Sequence, residues 1–115
     1  MNIQIFGTKK CKDTQKAERF FKERNIPVQF RDLAQKGISE GELNNIKQFY
    51  DVDDLLDREG KQFKKRNLEY MVFNTEEELL EDPLLFRTPI VRYNRNAVVG
   101  LEPDKWKEWA DEIKG

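Results

Sequence analysis

Histidine is absent from this 115-residue chain, and cysteine occurs only once. Without imidazole there is no His general base, no Cys-His dyad and no His-ligated metal, so neither a metal nor a bound cofactor is expected. One cysteine closes no internal disulfide, which fits a reducing compartment. No apolar run approaches the roughly 20 residues that a membrane helix needs, and the opening MNIQIFG lacks the charged and apolar regions of a secretory signal. A cytoplasmic protein that does not engage membranes is the expectation. An excess of charge of one sign is missing too: 21 basic and 22 acidic residues nearly cancel. No chain-wide field therefore invites nucleic acid, and any partner must be recognised locally. Repeats, low-complexity tracts and flexible linkers are also lacking.

What is present reads as one α/β domain, since this length suffices to bury a core. IQIF alternates apolar and polar residues and predicts a short strand ending at Gly7. From Lys12 to Arg24 the period changes: Ala17, Phe20 and Phe21 form the apolar stripe of a helix of about four turns, stopped at Asn25, Ile26 and Pro27. VQFRDL is a second strand, parallel to the first because a helix joins them. Residues 1–36 are thus a βαβ unit. Residues 37–86 read as a helical insertion. Within it Ser39 and Glu42, then Thr75 and Glu78, have capping-box spacing, Pro83 is a stop, and DVDDLLD and KQFKKRNLEYM are short helices. Residues 87–115 form a ββα unit, with PIVRY and NAVVG joined in a hairpin at Asn94 and Arg95. Its closing helix has Pro103 in the first turn and Trp106, Trp109, Ala110 and Ile113 on one face.

This order places Cys11 just after a strand and at the N-cap of a helix. Free amide N–H groups and the positive end of the helix dipole favour a thiolate there. Lys9, Lys10 and Lys12 add positive charge, and the hydroxyl or N–H of Thr14 is placed to donate to the sulfur. An inert buried thiol is the commoner role for a lone cysteine, but polar neighbours and a helix-opening position fit it poorly. Pro89 opens a strand, where a missing ladder donor is tolerated, and the residues leave its peptide bond cis or trans. The basic run Lys61 to Arg66 has acidic flanks and reads as a solvated helix face.

These residues carry a resemblance. The chain is similar to the arsenate reductase-related ArsC and Spx group of the thioredoxin and glutaredoxin superfamily. FGTKKCKDTQKAERFFKERNIPVQFRDL resembles its N-terminal unit, RTPIV the segment with the superfamily's cis-proline, and GLEPDKWKEW its last loop and helix. The resemblance implies a thioredoxin-like fold, a four-stranded mixed sheet flanked by helices, with the cysteine and the cis-proline adjacent in space. It further implies Cys11 as a nucleophile that forms a mixed disulfide with glutathione or another low-molecular-weight thiol. Lys10, Lys12 and Thr14 would stabilise the thiolate, Thr88 and Pro89 would receive the incoming thiol, and Arg87 or Arg92 would contact an anion. A glutaredoxin-like protein is the implied reductant, and a protein partner could dock on the insertion. Two departures matter. Three arginines that hold the oxyanion in arsenate reductases correspond here to Asp57, Thr88 and Glu102, with Arg58 and Arg87 each one residue away. Thr14 replaces the second cysteine of the Spx disulfide switch, which excludes an internal disulfide switch, and Asp51 stands near the position of that group's polymerase-binding glycine. Two alternative readings stand beside the oxidoreductase: a catalytically inactive Spx-like protein-binding or transcriptional regulatory module, and a true arsenate reductase.

Overall fold

In the computed structural model, which describes residues 3–115, the chain forms two compact units. One combines the chain up to Asp32 with Thr88–Gly115, and the other is Leu33–Arg87.

The first unit is built on a sheet. Strand β1 is Ile3–Gly7, helix α1 is Lys12–Glu23 and strand β2 is Val28–Asp32; after the helical unit come β3, Ile90–Tyr93, β4, Asn96–Val99, and α6, Pro103–Lys114. The strand order is β2-β1-β3-β4. β1 pairs β2 in parallel, as a crossover helix demands, while β1–β3 and β3–β4 are antiparallel, so the sheet is mixed. Strand alternation puts Ile3, Ile5, Val91, Tyr93 and Val98 on one face, where they share a core with Ala17, Phe21 and Ile26 and with Trp106, Trp109 and Ala110 of α6. Both helices thus bury the stripes their spacing implied. Phe20 meets Phe21 and Trp106 edge to face at 5.1 and 5.8 Å, and Tyr93 packs on Trp109 at 5.8 Å.

Helix α1 ends at Glu23 with Arg24 as its C-cap, just before Asn25. Asn25 takes the left-handed conformation (φ 57°). The N–H of Ile26 donates to Phe21 O and that of Asn25 to Lys22 O, both at 3.0 Å, a Schellman closure that needs nothing from Pro27. Ile26 and Phe21, the two ends of the longer bond, also meet in the core. The β3–β4 connection is the expected two-residue turn, with Asn94 at φ 55°. Pro103 opens α6.

The second unit is a set of short helices: α2, Glu40–Ile46; α3, Val52–Leu55; α4, Lys61–Lys65; and α5, Thr75–Glu81, with 3-10 turns at Leu68–Tyr70 and Pro83–Leu85. Helices this short are marginal alone, so their ends and side chains must be tied. Ser39 and Glu42 form the expected capping box. The second box is displaced by one residue: Asn74, not Thr75, is the cap, its carboxamide oxygen accepting the Glu77 N–H at 3.0 Å. Thr75 is already helical, which frees its hydroxyl to donate to Asp53 Oδ1 at 2.7 Å. Pro83 starts a 3-10 turn that Asp82 caps. Arg66 forks between two carboxylates, reaching Glu78 Oε1 at 2.5 Å and Asp82 Oδ2 at 3.2 Å, and Gln62 joins Asp82 at 2.6 Å. Within the basic run, then, Phe63 is buried, Arg66 is tied to acids, and Lys61, Lys64 and Lys65 are exposed. Among the described residues no helix is long and apolar enough to cross a membrane.

Candidate active site

Strand pairing brings two distant segments to one end of the sheet. Phe6, near the end of β1, pairs with Ile90, at the start of β3. The loop that follows Gly7 and the residues that precede Ile90 therefore emerge together. Cys11 lies in the first and Thr88-Pro89 in the second, and the Thr88–Pro89 peptide bond is cis.

Cys11 is the N-cap of α1, in extended backbone (φ −77°, ψ 118°). Its N–H donates to Thr8 O at 3.2 Å, and its carbonyl accepts the Gln15 N–H at 3.0 Å, so the first helical turn closes onto the cysteine. Thr88 grips the sulfur from the other segment. Its hydroxyl donates to Cys11 Sγ at 3.2 Å, and its carbonyl oxygen lies 3.8 Å from the same atom, where the thiol proton finds an acceptor. Cys11 is half-buried.

Two influences compete for its proton. Partial burial pushes the Cys11 thiol up, but hydrogen bonds from the Thr14 side chain, the Thr88 side chain and the backbone N–H groups of Thr14 and Asp13 outweigh it. The thiol therefore sits below its ordinary value. Thr14 is unusual among these donors: its hydroxyl is wholly buried and completes no neutral hydrogen bond, yet it favours the thiolate.

The remaining residues marked in the sequence are placed differently. Lys10 and Lys12 are exposed on either side of Cys11 and are not among the groups that shift it. Arg87 donates to the Asp54 carbonyl at 3.0 Å within the helical unit. Arg92 stands 5.6 Å over the Phe6 ring, which Arg31 also faces at 4.9 Å. Asp57 donates its N–H to Leu85 O, Glu102 is the exposed N-cap of α6, and Arg58 pairs with Asp53 at 3.8 Å. The backbone N–H of Asp13 and the side chain of Thr88 act on the sulfur in ways the sequence reading did not assign. No spacing rule links residues 77 apart; only the β1–β3 register does. Among the described residues, no cluster of three or more His, Cys, Asp or Glu is arranged to hold a metal.

The sequence profile of the ArsC family matches residues 6–109. The chain belongs to the ArsC family. Solved structures of the same fold include a Bacteroides fragilis protein whose name places it near the ArsC family (23% identity, 94% of this chain and 97% of that one, TM-score 0.79). An arsenate reductase from Vibrio cholerae is similar at 22% identity, covering 94% of this chain and 97% of that one with a TM-score of 0.77. An arsenate reductase related protein from Brucella melitensis matches at 23%, covering 95% and 94%, with a TM-score of 0.67. No curated protein matches the chain. As an ArsC-family chain it carries one free cysteine and the cis Thr88–Pro89 bond at one end of the sheet.

Proposed function

We propose that this protein is a thiol oxidoreductase in which Cys11 alone forms a mixed disulfide with a small thiol compound of the glutathione type. The Cys11 thiolate attacks one sulfur of an external disulfide; the S–S bond breaks and its other half leaves as a thiolate. A second external thiolate, from a small thiol or a glutaredoxin-like protein, then attacks the mixed disulfide and returns Cys11 to its starting state. Both steps conserve electrons between the external thiols, which suits a chain whose Thr14 rules out an internal resolving cysteine. Thr88 and Pro89 would receive the incoming sulfur compound, and a reducing cytoplasm would supply the second thiolate. The observation that carries this reading is the hydroxyl of Thr88 on the sulfur at 3.2 Å, on a thiol that hydrogen bonds hold below its ordinary value. Incubation with oxidised glutathione, read by intact-protein mass spectrometry, should add one glutathionyl group to the wild type and none to Cys11→Ser. An unmodified wild-type protein after prolonged exposure would defeat the proposal.

Arsenate reduction is a weaker reading of the same site. An oxyanion clamp needs permanent cationic forks, whereas Asp57 and Glu102 are carboxylates and Arg58 and Arg87 are engaged with Asp53 and the Asp54 carbonyl. Titration calorimetry with arsenate should register no saturable heat. A binding-module role is favoured by one observation: Tyr70, Met71 and Val72 of the helical unit stand exposed, the tyrosine at 80% and the valine fully. That role predicts partner binding that survives Cys11→Ser and fails in a Met71→Ser, Val72→Ser double variant.

A further inference from the structure

Gly7 ends β1, four residues before Cys11, and the sequence marks it only as a strand terminus. The space over its α-carbon is taken. A β-carbon built on Gly7 would lie 2.4 Å from Thr14 Oγ1, 2.6 Å from Thr14 Cγ2 and 3.0 Å from Thr14 Cβ. Gly7 and Thr14 are both buried, Thr14 completely, so the threonine has no solvent side into which to retreat. Its three nearest side-chain atoms all crowd this one spot, so a simple exchange of hydroxyl and methyl positions relieves nothing. The strand's φ is not left-handed at Gly7, so conformational freedom is not what the glycine supplies. What it supplies is room.

We infer that Gly7 is a positioning residue for the proposed thiol chemistry: by lacking a side chain it lets the buried Thr14 hydroxyl pack against β1 and stay aimed at the Cys11 sulfur. The inference rests on the reading of Cys11 as an activated thiol. Thr14 stands in the first turn of α1 with its side chain against β1, its buried hydroxyl has no hydrogen-bond partner among the described residues, and its side chain is one of the groups that favour the Cys11 thiolate. Adding one methyl group at position 7 displaces that hydroxyl. The thiolate then loses a donor while its other partners, Thr88 and the helix N–H groups, remain.

The pH dependence of iodoacetamide alkylation reads this directly, with circular dichroism and denaturant unfolding as fold controls. Wild type should show a midpoint below the free thiol's, about 8.5. Gly7→Ala and Thr14→Val should each raise that midpoint, and the double variant should be no higher than Thr14→Val alone, because both changes remove one interaction. A folded Gly7→Ala protein with the wild-type midpoint would overturn the inference. So would a Gly7→Ala shift that persists undiminished in the Thr14→Val background, which would place the effect elsewhere. If Gly7→Ala does not fold, Thr14→Ser is compared with Gly7→Ala/Thr14→Ser, where the missing methyl leaves the seryl hydroxyl free to turn away from position 7. A raised midpoint in that pair supports the inference and an equal one refutes it. A wild-type midpoint at the free-thiol value would instead defeat the activated-thiol reading itself, an outcome distinct from failure at Gly7 alone.

Discussion

The strands of the sheet unit pair across long stretches of the chain, whereas several helices of Leu33–Arg87 are closed by caps supplied from their own ends. β1 is paired with β3 across the whole helical segment, and one apolar face gathers residues from Ile3 to Ala110. Between those stretches, Ser39, Asn74 and Asp82 cap their own helices or turns, and Arg66 ties two neighbouring carboxylates. The two units differ in charge as well. The near-zero total conceals 13 basic and nine acidic residues in the sheet unit against eight basic and 13 acidic in the helical one. Whole-chain neutrality therefore says little about either surface. The contrast teaches that the sheet unit is assembled by non-local strand pairing over one apolar face, and that the helical unit adds local caps and charged ties to its own buried residues, Leu43, Ile46, Leu55, Leu79 and Leu85 among them.

The strongest break in that contrast comes from the core. Phe21→Ala, which empties a fully buried site under the sheet, should lower stability by about 3–5 kcal/mol in denaturant unfolding. Residue-resolved hydrogen exchange should locate the loss in β1, β3 and α6, and an equal loss throughout α2 and α5 would erase the proposed difference between the units. Next comes Arg66→Ala, which leaves Glu78 and Asp82 half-buried without their fork. A loss of about 1.5–3 kcal/mol, the value of hydrogen bonds to charged groups, is expected. Arg66→Lys should restore only part of it, since an ammonium cannot span both carboxylates.

A finer comparison concerns the cap of α5. Asn74→Ala should cost about 1 kcal/mol of stability and Thr75→Ala distinctly less, read from unfolding midpoints; the reverse order would move the cap back to the threonine. The smallest effect on stability belongs to Cys11. Its folded-state pKa is lowered, so the stabilisation is fully present above the unfolded value of about 8.5 and disappears as pH falls through the folded value. Wild type should therefore gain on Cys11→Ser as pH rises across that window, and Thr88→Val should shrink the gain. A difference that does not vary with pH would show that the thiolate is not favoured by folding.

Local physics made much of this legible from sequence. The stripes Ala17, Phe20, Phe21 and Trp106, Trp109, Ala110 lie on one helix face each because a 3.6-residue period leaves no choice, and the parallel β1–β2 pair follows from the helix between them. Errors of detail arose where two residues compete for one local role. Asn74 and Thr75 are both competent caps, and the structure uses the asparagine.

Cys11 as a helix-opening thiol with no second cysteine was determined by the order of residues alone, because strand, glycine, cysteine and amphipathic helix are read within one short window. What tertiary structure decided is who holds that sulfur. Thr88 stands 77 residues away and reaches it only because β3 pairs with β1, and Gly7 meets Thr14 only because α1 folds back onto the strand. Side-chain contacts between segments distant in sequence depend on register and packing, which no local pattern encodes.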